Sequence, residues 1–230
     1  MLAVTDALMH DCMASWMGEG MRTVALLARK GGAGKTTCAI HMGVLAQASG
    51  MKVMFLDLDP QRSLSTWWHS REAETPGLIE TDARQLPDLL KAARADGYDL
   101  VVIDTPPAVT FDTARIAGLV DLALIPLRPS ILDIYAVAST ADVVRATKTK
   151  ALLVLNACPA PRGTVEAATT LEARKAVAEI AIPLAAISLA QRIDYTRALN
   201  GGEAVNEFAP SSKAAQEMES LWNEVQRSLL

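Results

Sequence analysis

Aromatic residues are scarce, at 4% of 230. Ala, Val, Leu and Ile fill the apolar share instead, which suits helices packed on a parallel sheet better than a β-sandwich. No uninterrupted apolar run approaches the ~20 residues that a membrane span requires. The three cysteines, Cys12, Cys38 and Cys158, are far apart and show no C-x-x-C spacing. That argues against a metal site or disulfide framework and makes a reducing cytosol the simpler setting. The histidines are equally scattered. Residues Met1 to Gly20 lack the cationic start and long apolar core of a secretory signal. An excess of positive charge is also missing: the formal net charge is −4, so the whole molecule is not a basic nucleic-acid binder.

The charge is uneven. Between Ala141 and Asn200 there are eight basic residues against five acidic ones, which fits either a local basic face or ordinary solvated helices. The length suits one α/β domain with a buried core over 21–230. Residues 1–20 form an extension in which Val4, Leu8, Cys12 and Trp16 fall at i+4 spacing. A short amphipathic helix and a loose tail ahead of a natural start at Met21 both fit.

The most informative stretch is Lys30-Gly31-Gly32-Ala33-Gly34-Lys35-Thr36-Thr37. It follows an apolar run, Val24 to Ala28, and opens a helical pattern over Thr36 to Ser49. Strand, glycine-rich loop and helix in that order make a phosphate-binding loop. Glycines let backbone N–H groups turn inward around phosphate oxygens, and the helix N-terminus adds partial positive charge. Lys35 can reach the β- and γ-phosphates, and the Thr36 hydroxyl can bind Mg²⁺. The standard pattern G-x-x-x-x-G-K-[ST] wants glycine where Arg29 stands, and a second lysine, Lys30, precedes the double glycine.

In that departure the sequence resembles the deviant phosphate-loop ATPases of the ParA/MinD family. The resemblance implies a doubly wound, mostly parallel α/β sheet flanked by helices, with ATP and Mg²⁺ as ligands. It implies an ATP-dependent homodimer in which Lys30 reaches the nucleotide of the other subunit. Residues Gly31, Gly32, Ala33, Gly34, Lys35, Thr36 and Thr37 would cradle the phosphates.

Later motifs keep the family's order. Lys52 to Leu56 reads as a strand running into Asp57-Leu58-Asp59-Pro60-Gln61. Period-two geometry would send Asp57 and Asp59 to one side, toward metal and γ-phosphate. An acidic turn capping the next helix is the plainer reading. The resemblance has Asp59 orient the attacking water and Asp57 support the Mg²⁺ shell. Leu100 to Ile103 followed by Asp104 is a buried strand presenting one carboxylate to the metal. Leu122 to Pro126 is a further strand, and Asp133 caps or positions the helix after it. Asn156 ends the strand from Ala151; in the family such an amide reads the adenine edge, whereas asparagine is also an ordinary turn former.

Helices are expected over Ser63–Ser70, Leu86–Arg94 and Thr164–Ile180, a polar loop over Arg71–Gly77, and a last strand over Pro183–Leu189. Segments around Gln191–Tyr195 and Gly201–Val205 resemble partition-ATPase segments where basic residues touch DNA, which puts Arg192 and Arg197 forward as DNA contacts. A serine-capped terminal helix carries the stripe Met218, Leu221, Trp222, Val225 and Leu229. Its acidic outer face suits anionic lipid poorly, so no membrane partner is expected.

The resemblance implies a cytoplasmic, nucleoid-associated ATPase serving plasmid or chromosome partition. It would bind DNA non-specifically and answer to a centromere-binding, ParB-like activator. Its rivals are a relative that positions protein clusters, a MinD-like membrane oscillator and a metabolic phosphate-loop ligase or reductase.

Overall fold

The computed structural model describes residues 20–108, 111–163 and 165–230. The amphipathic stretch expected over Val4 to Trp16 lies outside them. Six strands form one sheet: β1 (Arg22–Leu26), β2 (Val53–Asp57), β3 (Gly77–Glu80), β4 (Leu100–Asp104), β5 (Leu122–Leu127) and β6 (Lys150–Leu155). The spatial order is β3-β2-β4-β1-β5-β6, and every pair is parallel. The central strands read as continuous apolar runs because both faces of the sheet are covered.

Alternation along β1 separates the two cores. Val24 and Leu26 point into a cluster with α1 (Lys35–Ala48), α2 (Ser63–Ser70), α7 (Ile193–Asn200), α8 (Val205–Phe208) and α9 (Lys213–Leu229). Ala25 points into the other, with α3 (Leu86–Ala95), α4 (Phe111–Ala117), α5 (Ile131–Thr147) and α6 (Ala168–Ala178). Register places Leu26 beside Asp104, and Asp104 beside Asp57. The C-terminal ends of β2, β4 and β1 therefore meet at one edge, where open α/β sheets bind ligands.

The terminal stripe is spent on the core: Met218, Leu221, Trp222, Val225 and Leu229 are all buried. At about 1.5–3 kcal/mol per large apolar side chain, that face is held by the domain and is not free for a bilayer. Ser212 caps α9 by accepting from the Ala215 N–H. No described helix is long and apolar enough to cross a membrane.

Three expectations change. Gly77 to Glu80, where only a polar loop ending at Gly77 was read, is the edge strand β3. Pro183–Leu189 is not a continuous strand. It makes only isolated bridges to the sheet, Leu153 with Leu184 and Cys158 with Ala190 nearby. Between them the Ala186 and Ile187 N–H groups donate to the Glu224 carboxylate at 2.8 and 3.0 Å instead of to a ladder. The helix expected from Thr164, itself outside the described residues, begins at Ala168. Glu166, just before it, is drawn to Arg174 and Ser188.

Candidate functional site

The glycine-rich loop joins the end of β1 to the start of α1, and its shape depends on two glycines. Gly34 has φ 103°, and a Cβ there would lie 1.9 Å from Asn156 Nδ2. Gly32 has φ 71°, and a Cβ there would lie 2.6 Å from Arg128 Nη2. Side chains are strained at such φ, and at Gly34 the anchored Asn156 amide leaves no room as well. Asn156 donates from Nδ2 to the Ala33 carbonyl at 2.8 Å, so its amide braces the loop from the end of β6. The adenine role implied by the resemblance leaves it one remaining N–H and its oxygen.

A cleft of ≈ 600 Å³ opens beside the loop. Gly31, Gly32, Lys35, Thr36 and Asp59 line it, together with the apolar Ile40, Trp67 and Leu199. Lys35 is buried. Burial lowers its pKa, against the attraction of Asp104 and Asp59. The Thr36 hydroxyl donates to Asp104 Oδ2 at 2.6 Å. Asp104 Oδ1 is buried with no hydrogen-bond partner among the described residues. Burial pushes the Asp104 carboxyl up to about 7, with Asp57 and Asp59 adding to the rise, while Thr36 and Lys35 pull the other way. A carboxylate oxygen without a donor beside a threonine hydroxyl is the hard-oxygen donor pair that Mg²⁺ takes. No cluster of three or more metal-ligating side chains occurs among the described residues, so such an ion would draw its other ligands from phosphate and water.

Asp57 and Asp59 part company. The strand stops at Asp57, so the period-two argument does not carry to Asp59. Asp57 is fully buried: Oδ1 accepts from the Asp59 N–H at 3.0 Å, and Oδ2 accepts from the Ser65 N–H and hydroxyl at 3.0 and 2.7 Å. Those bonds fix the turn onto α2, which is the capping role, and its carboxylate is occupied by donors where the resemblance implied the metal shell. Asp59 accepts from the Gln61 N–H at 2.9 Å and faces the cleft.

Lys30 donates to Asp133 Oδ2 at 3.1 Å, with 40% of its side chain exposed. Asp133 lies in the first turn of α5, where Ser130 caps the helix. The sequence marked Asp133 as a helix-positioning residue and missed its contact with Lys30. The start of α5 also exposes Ile131, Leu132 and Tyr135, at 58%, 66% and 72%.

The two expected DNA contacts separate as well. Arg192 donates from Nε and Nη2 to Glu217 Oε1 at 3.0 and 2.6 Å, a half-buried pair that takes up its charge. Arg197 is exposed in the last turn of α7. In the wider basic stretch, Arg145 pairs with Asp142 and Arg174 with Glu166, while Lys148, Lys150, Arg162 and Lys175 are exposed.

The family described as the CobQ/CobB/MinD/ParA nucleotide binding domain matches residues 24–205. The chain is 32% identical over 215 residues to the maintenance of carboxysome distribution protein A of Halothiobacillus neapolitanus, covering 88% of this chain and 95% of that one. It is 33% identical over 115 residues to protein ParA of Rhizobium radiobacter, covering 49% of this chain and about half, 51%, of the relative. Among solved structures, the ATP complex of a Cyanothece McdA variant superposes with a TM-score of 0.75 at 22% identity, covering 92% of this chain and 97% of that one. At that identity the likeness speaks for the fold.

Proposed function

The chain belongs to the CobQ/CobB/MinD/ParA family of nucleotide-binding domains, and from that premise we propose that it is a Mg²⁺-dependent ATPase whose ATP-bound dimer binds DNA. The observation that carries the reading is the buried pair Lys35 and Asp104 with the half-buried Thr36 bonded to it, and an orphan carboxylate oxygen beside a loop shaped for phosphate. Leaving a carboxylate oxygen buried without a donor is unfavourable, and a cation held there with a nucleotide would compensate it.

The residues divide the work. Backbone N–H groups of Gly31 to Thr37 surround the phosphates, and Lys35 neutralises them. Thr36 and Asp104 would hold the Mg²⁺, which when bound offsets negative charge on the β- and γ-phosphate oxygens. Asp59 orients the attacking water: the water oxygen bonds to the γ-phosphorus, the bond to the β–γ bridging oxygen breaks, ADP departs, and the water's proton passes to an oxygen of the released inorganic phosphate. Asp57 keeps Asp59 in place through the Asp59 N–H.

Lys30 is the association device. In one chain it rests on Asp133; in the dimer it exchanges that carboxylate for the phosphate of the facing copy. The exposed Ile131, Leu132 and Tyr135 beside Asp133 offer apolar area for such a contact or for an activating partner. ATP would favour the joined state and hydrolysis would release it, so the energy of the nucleotide sets an association equilibrium.

DNA retention would rest on phosphate contacts that carry no sequence preference. Arg197 and the exposed lysines are its candidates, since Glu217 already holds Arg192. In this reading the protein acts on the nucleoid in the cytoplasm and serves plasmid or chromosome partition with a ParB-like, centromere-binding activator. A second cargo, a protein assembly, is favoured by the match along nearly the whole length of a carboxysome distribution protein.

Phosphate release and retention on duplex DNA of unrelated sequence test the proposal. Release should need Mg²⁺, and retention should need ATP and fall steeply with salt. Retention that ignored the nucleotide would contradict it. Plasmid loss, set against displaced protein assemblies in a deletion strain, separates the two cargoes.

A further inference from the structure

Arg128 stands against the phosphate loop at Gly32. It is the first residue after β5, and β5 lies beside the strand that delivers the loop. Pro129 follows, which restricts Arg128 to extended backbone, and the Ser130 cap then fixes the chain to α5. The side chain is thereby aimed across the loop. Its Nη2 lies 2.6 Å, and its Cζ 3.5 Å, from where a Cβ on Gly32 would be. Gly32 lacks the side chain that would push the guanidinium away.

Lys30 and Lys35 belong to the same loop, and the carboxylates of the site are otherwise engaged: Asp133 accepts from Lys30 and the Ser130 hydroxyl, Asp104 from Thr36, and Asp59 from the Gln61 N–H. Arg128 is exposed, and no acceptor for its guanidinium is found among the described residues. A planar fork of five donors held against a phosphate-binding backbone is the group that phosphate oxygens accept in pairs.

We propose that Arg128 is a third phosphate-binding cation of this site, donating to the outer phosphate of the ATP held in its own loop. The assignment rests on reading the loop as the ATP site and adds a residue that discriminates triphosphate from diphosphate. Packing of an arginine on a glycine for its own sake makes no such discrimination.

The test titrates the parent, R128Q, R128K and K35A with Mg²⁺ and either ADP or a non-hydrolysable ATP analogue, by calorimetry. R128Q should weaken the analogue by about tenfold or more, the loss of one charge-assisted bond, and leave ADP within about twofold. R128K should recover part of the loss, because it restores the charge without the fork. Melting temperatures should match, since the residue is exposed. Equal losses for both nucleotides, or none, would overturn the proposal. K35A separates the levels: loss of both ligands there with R128Q unchanged removes Arg128 alone. Binding of both by K35A would remove the ATP-site reading and Arg128 with it.

Discussion

Replacing Asp104 by Asn should make the nucleotide-free protein more stable, and increasingly so as pH rises. The Asp104 carboxyl, ordinarily at 3.8, is pushed up to about 7 by burial. A raised carboxyl favours the protonated folded form. Its contribution is fully present below 3.8 and is lost as pH rises through 7. Across that window the unfolded chain is ionised while the folded one is protonated, at about 1.4 kcal/mol per pH unit. Between about pH 5 and about pH 8 the loss is on the order of 2.5 kcal/mol, and Asn does not share it. Asn still offers an oxygen to the Thr36 hydroxyl.

The advantage of D104N over the parent should therefore grow by roughly 5–10 °C in Tm between those two pH values for a chain of this size, and level off above. His41 titrates alike in both proteins and cancels. The same variant should lose the Mg²⁺ dependence of nucleotide binding. Scanning calorimetry at both pH values reads the first effect. An advantage that is constant with pH, or a variant less stable by the same amount throughout, would refute the argument that burial of this carboxylate is unfavourable until a cation joins it.

His41 acts in the opposite direction of pH. It is buried, its Nδ1 accepts from the Val205 N–H at 3.0 Å, and burial lowers its pKa to about 3 from 6.5. Its contribution is full above 6.5 and is lost as pH falls from there toward 3, at about 1.4 kcal/mol per unit. H41N keeps an acceptor for Val205 and should remove that acid slope in urea titrations; an unchanged slope would contradict it. D57A should cost about 2–4 kcal/mol, because three buried donors lose their acceptor. D59N should melt within about 1 kcal/mol of the parent and bind ATP without hydrolysing it; a silent D57A would undo the division between the two. D133N should strengthen the dimer formed with an ATP analogue by about twofold to fivefold, the worth of a half-exposed ion pair. Sedimentation velocity measures it, and a weaker dimer would count against Lys30 being held back.

What could be read from the chain was what depends on order and period. The loop, the strand ending in Asp104 and the stripe of α9 each state their structure locally, through glycine spacing, an apolar run or i+4 spacing. The apolar runs of the central strands likewise announced a covered parallel sheet. What stayed hidden depends on partners far away in sequence. A capping role is open to both Asp57 and Asp59, and nothing near them says that Ser65 will choose Asp57, nor near Arg192 that Glu217, 25 residues on, will take its charge. Pro183–Leu189 reads as a strand because its apolar content is right, while Glu224 draws off the Ala186 and Ile187 N–H groups in its middle. The edge strand β3 was missed because four residues with an exposed end give too short a signal. Arg128 over Gly32 is a product of strand adjacency, invisible until β5 is set beside β1.

Molecular mass in solution, measured by sedimentation with ADP and with a non-hydrolysable ATP analogue in the parent and in K30A, addresses the core of the account. The parent should be a monomer with ADP and a dimer with the analogue, and K30A should bind both nucleotides yet remain a monomer. A parent of one mass with either nucleotide, or a K30A that dimerises as the parent does, would contradict a switch in which Lys30 joins two copies across the nucleotide.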